Sequence, residues 1–322
     1  MNRVLESAKY VAGNSKSVKL NKDKLKEFCK AFKRSDAKHW LSTSPYDFSK
    51  LESDDEKLNF LLVYSAMGFC YWGDPAWSIQ YNGQSHQGSY GMIAAIGRAH
   101  DAGMSILDPM YRACMTKNDL KDMLKSDGGE IPLFEERLKF VRETGTFLAN
   151  NYDRSVSELI CSTNQDVQEL LGILVKNFSA FQDSYVYNRK EVEFNKKAQL
   201  FISDVHQLYG GQGLGYFSNI NELTALADYR IPQVLRNFGI LSYSKELADK
   251  IDQKIQLLKG GKEEIEIRAN MVWAVKLMYD ELNNKVGSPQ ISAISINDHL
   301  WLLRRKLFPD DDAHHRTMTT AY

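Results

Sequence analysis

The sequence predicts an all-α protein carrying one small β-hairpin, and three observations lead there. Apolar residues recur at three- and four-residue spacing over most of the 322 positions, the mark of helices with a buried stripe. Alternation of period two beside a turn dipeptide is confined to one stretch, residues 77–83. No internal repeat, low-complexity block or Pro/Gly/Ser-rich linker divides the chain, so residues 1–322 read as a single domain with room for two lobes.

The elements follow in order. Residues 1–35 read as two amphipathic helices, carried by Val4, Leu5, Ala8 and Val11 and then by Leu25, Phe28, Cys29 and Phe32. Residues 36–56 are polar, with Pro45 and a run of acids, and read as a loop. Residues 58–72 are apolar nearly all round, as a buried helix should be, and Trp72-Gly73-Asp74-Pro75 ends them. The hairpin comes next, with Asn82-Gly83 at its turn. Helices are then expected over 91–103, 116–124 and 133–150, with a pair in 156–177. Two more, 194–209 and 220–238, bracket the glycines of GGQGLG, which make a tight turn. The last helices are 245–258, 264–282 and 291–307, followed by a charged tail ending at Tyr322.

Composition excludes several classes. Hydrophobic residues make up 43% and charged residues 25%, and 41 basic residues balance 41 acidic ones. Zero net charge argues against a protein that grips a nucleic-acid backbone, but a small anion needs only one or two local cations. Cys29, Cys70, Cys114 and Cys161 are scattered with no CxxC pair, so reduced thiols are expected rather than a disulfide or zinc framework. The first residues hold no apolar core of signal-peptide length, and no stretch approaches a membrane span, so a soluble, cytoplasmic protein is expected. GGQGLG follows a helix-like run rather than a strand and is a poor dinucleotide fingerprint. There is no P-loop, HExxH or G-x-S-x-G, and His314-His315 is a weak metal signal; neither cofactor nor metal is expected.

What remains is acids and cations in apolar settings: Asp228 among Leu223, Leu226, Ala227, Ile231 and Val234; Lys196 and Asp204 on an apolar helix; Asp298 beside His299 and Trp301. Asp228 has two readings. It is either a carboxylate that pairs with Arg230 or caps the helix holding Pro232, or a catalytic carboxylate in a dry pocket. Phe69, Tyr71, Trp72, Trp77, Tyr81 and Tyr90 likewise suit a core or the walls of a base-sized pocket. Together these groups leave room for hydrolysis of a glycosidic bond. Breaking C1'–N builds positive charge on the sugar, and a nearby carboxylate stabilises or captures it.

Five blocks point further: LNFLLVYSAMGFCYW (58–72), GSYG to RAHDAG (88–103), IPLFEERLKFVRETG (131–145), residues 195–241 with ALADYRIPQVLRNFGIL, and EIEIRANMVWAV (264–275). Their collinear order resembles the queuosine salvage proteins, the queuosine 5'-phosphate N-glycosylase/hydrolase family, from about residue 50 to Tyr322. The resemblance implies a helical domain similar to the helix-hairpin-helix DNA glycosylases. It implies a free nucleotide, queuosine 5'-phosphate, as substrate, and release of queuine for tRNA modification, with no stable nucleic-acid or membrane partner. Carried over by motif, Asp228 is the carboxylate facing C1', Leu226 and Ala227 line the base pocket, and Lys196 serves the sugar-phosphate side. Phe69 and Trp72 join the aromatic lining, Asp47 or His39 stands for an upstream histidine, and Asn297 or Asp298 for an acid before Leu-Trp. The chain departs from the family pattern at Ser65, Gly68 and Leu226, all in recognition blocks. Two alternatives therefore stay open: the same reaction on another purine or deazapurine nucleotide, or a non-catalytic binder of a modified base. A DNA glycosylase is disfavoured by the charge balance.

Overall fold

The computed structural model describes residues 2–33, 38–284, 290–307 and 313–322. Residues 34–35 of the expected helices, 36–37 of the expected loop and 309–312 of the expected tail lie outside them. The chain is mostly helical, as expected, but β pairing exceeds one hairpin: three two-stranded sheets are present among the described residues.

Helices α1 (Arg3–Asn14) and α2 (Lys22–Ala31) are opened by Asn2 and Asn21, whose side chains accept backbone N–H groups of the first turn. Between them β1 (Val18–Leu20) pairs antiparallel with β6 (Leu241–Tyr243), a contact across more than 200 residues that no local pattern announces. The expected loop 36–56 contains 3-10 turns at Trp40–Thr43 and Phe48–Lys50 and the start of α3 (Asp54–Met67). Ser53 and Glu56 form a reciprocal capping box there, so the acidic run is a helix start. At its other end α3 stops at Met67, short of the expected 72. Its last carbonyls and those just beyond are taken by buried cations: Lys197 Nζ donates to Ala66 O (3.1 Å), and Arg137 donates to Met67, Phe69 and Cys70.

The expected hairpin is β2 (Ser78–Tyr81) and β3 (Gln84–Gln87), with Asn82 and Gly83 both at positive φ as the turn demands. Next come α4 (Gly88–Asp101), α5 (Pro109–Cys114), α6 (Lys117–Met123), α7 (Phe134–Asn151), α8 (Val156–Cys161) and α9 (Val167–Asn177). A second hairpin, β4 (Ser184–Tyr187) with β5 (Lys190–Glu193), leads into α10 (Lys196–Leu208). The glycine stretch then turns the chain back on α10, and His206 Nδ1 meets Gly215 O at 2.8 Å.

The expected helix 220–238 is overturned in its first half. A 3-10 turn at Ile220–Glu222 gives way to an extended run, and α11 begins only at Arg230 (Arg230–Asn237). Distant side chains replace the helical partners of that run. Gln199 accepts from Thr224 N (2.8 Å), Asn297 accepts from Leu226 N (2.9 Å), and Arg268 donates to Ala227 O (3.0 Å). The fold closes with α12 (Lys245–Asp252), α13 (Lys262–Asn283), α14 (Ala293–Leu307) and a terminal segment whose described residues, 313–322, are mostly buried. Cys70 N donates to Tyr322 O (2.8 Å), and Tyr322 Oη to Glu264 Oε1 (2.9 Å).

Apolar residues gather into two large clusters, one built on α3, α4, α7, α9 and α10, the other on α1, α11, α13 and α14. Leu226 belongs to the first, while Ala225 and Ala227 belong to the second. The extended run therefore lies in the seam between them, alternating sides as a strand does.

Candidate active site

Asp228 ends that run. Its Oδ1 accepts from Arg230 N (3.0 Å) and Ile231 N (2.9 Å), so it caps α11 from outside the first turn, where the helix dipole favours negative charge. The capping reading is thus realised, and the carboxyl remains half-buried. Burial pushes it above the usual carboxylate range, against the Ile231 N–H, the Lys196 ammonium and Arg230, which draw it down. Lys196, first residue of α10, is its cationic counterpart. Burial lowers the Lys196 ammonium, and Asp228 is the strongest of the carboxylates that oppose that.

A buried ion pair holds the backbone on both sides of this couple. Arg268 of α13 donates Nε to Ala227 O (3.0 Å), and its two terminal nitrogens to Asp183 Oδ1 (2.9 Å) and Oδ2 (2.7 Å). Asp183 Oδ2 also accepts from Lys196 N (3.1 Å). The guanidinium lies between the rings of Phe194 (4.1 Å) and Tyr322 (4.3 Å). Burial alone would weaken its charge; Asp183 more than restores it.

Along the seam stands a second polar group. Asp204 Oδ1 accepts from Trp40 Nε1 (2.8 Å), and Asp298 Oδ2 from Gln207 Nε2 (3.3 Å). His39 Nε2 lies 3.4 Å from Asp204 and 3.9 Å from Asp298, hydrogen-bonded to neither. Both acids are buried and pushed upward by that burial, Asp298 to about 6 with the Asp204 charge adding to the rise. Asp204 Oδ2, Ser65 Oγ and Tyr71 Oη are buried without a hydrogen-bond partner among the described residues.

A cavity of about 330 Å³ opens beside Tyr229 and Arg230. Tyr71, Trp72, Tyr229 and Trp301 supply aromatic walls, and Arg230, Lys254, Arg304, Arg305 and Arg316 line it against one acid, Asp74. The guanidinium of Arg305 stacks on Tyr90 (4.3 Å) and that of Arg316 on Trp72 (5.4 Å). Within a protein of no net charge, five cationic residues meet here, an arrangement suited to a planar group and an anion.

The residues singled out by sequence divide accordingly. Asp228 and Lys196 lie within electrostatic reach of each other, while Leu226 and Ala227, immediately before the carboxylate, are buried core residues; none of the four lines the cavity. Asn297 holds Leu226 N while its neighbour Asp298 faces His39, so the two candidates have separate tasks. Trp72 lines the cavity. Phe69 does not: it is fully buried between Arg137 (4.1 Å) and Lys197 (4.4 Å), a core ring carrying two cations. Asp47 is exposed and caps the Phe48–Lys50 turn through Ser49 N (2.9 Å), leaving His39 as the residue at the acid pair. Arg268, Asp183 and the cations Lys254, Arg304, Arg305 and Arg316 were not foreseen. For Arg268 a signal existed, a lone arginine on the apolar run Ile265, Ile267, Ala269, Met271 and Val272.

A family model described as queuosine salvage protein matches residues 48–322. The chain is 35% identical over 266 residues to a queuosine 5'-phosphate N-glycosylase/hydrolase of Sphaerobacter thermophilus, covering 82% of this chain and 81% of that one. It is 30% identical to the protein of that name from Mus musculus, over 98% of each chain. With the one from Dictyostelium discoideum the identity is 32%, over 99% of this chain and 98% of the relative.

Proposed function

The chain belongs to the queuosine salvage protein family, and from that premise we propose that it hydrolyses the C1'–N bond of queuosine 5'-phosphate, releasing queuine. The observation that carries the reading is Asp228: a half-buried carboxylate anchored at a helix N-terminus, beside Lys196 and next in sequence to two residues of a cationic, aromatic cavity. With Oδ1 held by two N–H groups, the second oxygen meets C1' as the ribose becomes cationic. Fixed dipoles do this without the reorganisation that water would need. The carboxylate acts by charge or by forming a transient glycosyl ester, which water then hydrolyses.

The departing base takes up negative charge, and a 7-deazapurine has no N7 to protonate. Asp204 and Asp298, whose hold on a proton burial strengthens, are suited to hydrogen-bond a base edge, with His39 beside them. The arginines and Lys254 of the cavity are suited to the 5'-phosphate. No helix among the described residues is long and apolar enough to cross a membrane. We read residues 1–322 as one catalytic domain akin to the helix-hairpin-helix DNA glycosylases, acting in the cytoplasm on free nucleotide to supply queuine for tRNA modification. Helical content, a carboxylate in the seam and zero net charge support that reading.

Chromatography of base released from queuosine 5'-phosphate tests it, with GMP and 7-deaza-GMP run alongside. Asp228→Asn should lower kcat by at least about 10³-fold while the protein stays folded. Absence of release by the unaltered protein, or a variant within tenfold of it, would sink the proposal. Faster turnover of one of the other nucleotides would move the substrate and keep the chemistry.

A further inference from the structure

Asp228 and Lys196 lie on different elements, 32 positions apart, and an enzyme that uses both must fix their separation. Neither backbone is held by regular structure where this matters. Ala227 sits in an extended run outside any sheet, and Lys196 is the first residue of α10, whose N–H has no partner within the helix. The residue before it, Asn195, has a positive φ of 52° and makes no side-chain cap.

One ion pair ties both points. Arg268 Nε binds Ala227 O, the carbonyl one residue before Asp228, and its other two nitrogens grip Asp183, whose Oδ2 takes Lys196 N. Both side chains are at most 2% exposed, and Arg268 is wedged between Phe194 and Tyr322, so the fork has no freedom to turn. Glu264, 3.6 Å from Arg268, is itself held by Tyr322 and Gly260 N. Lysine, with one nitrogen in place of three spread over a planar fork, cannot reach Ala227 O and both oxygens of Asp183 in this geometry.

We propose that Arg268 and Asp183 are positioning residues for the hydrolysis, setting the distance between the Asp228 carboxylate and the Lys196 ammonium. This rests on the reading of Asp228 as the carboxylate at C1'. Neither residue touches substrate; they act through the Ala227 carbonyl and the Lys196 N–H.

The test uses the full chain with Arg268→Lys, Asp183→Asn and both together. For release of queuine from queuosine 5'-phosphate, each single change should lower kcat roughly 10²-fold with KM within about threefold. The double variant should lose no more than the worse single one, because both break the same link. The groups facing Asp228 are Lys196 from α10, Arg230 from α11 and the neighbouring Tyr229, with Asp204, Asp183 and Arg268 facing Lys196 in turn; Arg268→Lys keeps the charge at 268. Loosening Lys196 removes part of what holds Asp228 ionised, so the acid limb of kcat should move to higher pH. A folded Arg268→Lys enzyme with kcat within threefold, with its loss confined to KM, or with an unmoved acid limb overturns the proposal. If Arg268→Lys does not fold, Asp183→Asn, of unchanged shape, decides.

A measurement without substrate separates this from failure of the catalytic reading. Amide hydrogen exchange in both variants should rise together in residues 195–199 and 224–231 while α6 stays as protected as before. A rise spread evenly over the protein, or none, overturns the brace. A paired rise in a protein whose parent releases no base leaves the brace standing and removes the proposed reaction.

Discussion

Asp183 and the pair Asp204–Asp298 are all buried carboxylates along one seam, and the protein treats them in opposite ways. Asp183 meets Arg268 through both oxygens and caps Lys196 N as well, a fully compensated charge. Asp204 and Asp298 share one partly exposed histidine, one oxygen of Asp204 bonds nothing, and both carboxyls are driven upward by burial. Where charge is satisfied internally, the structure is held. Where it is left short, the proposed function places the base. On that proposal the molecule separates support from recognition by how completely it pairs its buried acids.

Breaking the first region should cost most. Arg268→Ala leaves Asp183 buried without its paired cation and three hydrogen bonds lost, a destabilisation of about 3–5 kcal/mol. Urea unfolding at pH 7 checks this, and a loss below about 1 kcal/mol would mean the pair is not the support inferred here.

The corresponding change in the second region should have the opposite sign at neutral pH. Asp298 keeps its proton up to about 6 in the fold, against 3.8 ordinarily, so its contribution to stability is complete at low pH and is lost as pH rises through that window. Asp298→Asn keeps the shape and removes the titration. It should be more stable than the parent at pH 7, by an amount of order 2 kcal/mol, with a flatter stability profile between pH 4 and 6. The same change should slow base release. Equal slopes of stability with pH in the two proteins would show that Asp298 is not the group held protonated.

How much of this was legible in the sequence depends on how far each partner lies along the chain. Helices such as α7 and α13 follow from local periodicity, and the β2–β3 turn from Asn82-Gly83. The β4–β5 turn is Asn188-Arg189, both at positive φ, and arginine there gives no local cue. Likewise α3 ends because Arg137 and Lys197 take its final carbonyls, and 223–228 is extended because Gln199, Asn297 and Arg268 hold it; all five act from outside the segment they shape. For the site, spacing alone left Asp228 between cap and catalyst, and the fold makes it a cap facing the seam. Motif resemblance supplied Lys196, but could not choose His39 over Asp47, because that choice rests on which of two polar loop residues folds over Asp204.

Two smaller effects sharpen the contrast. If the cationic wall serves the phosphate, Arg316→Ala should raise KM for queuosine 5'-phosphate about tenfold, ~1.4 kcal/mol, and leave turnover of the dephosphorylated nucleoside nearly unchanged. An equal loss with both substrates would assign Arg316 to packing on Trp72 instead. The least change is expected at Tyr71, whose buried hydroxyl bonds to no described residue. An unsatisfied buried hydroxyl destabilises the fold, whereas the ring, stacked on Trp77 with centroids 6.3 Å apart, stabilises it. Tyr71→Phe keeps the ring and removes the liability, so thermal unfolding should shift upward by the equivalent of roughly 1 kcal/mol. A fall in stability would mean that the hydroxyl has a partner in the folded protein, and would move Tyr71 from the under-satisfied side of the seam to the compensated one.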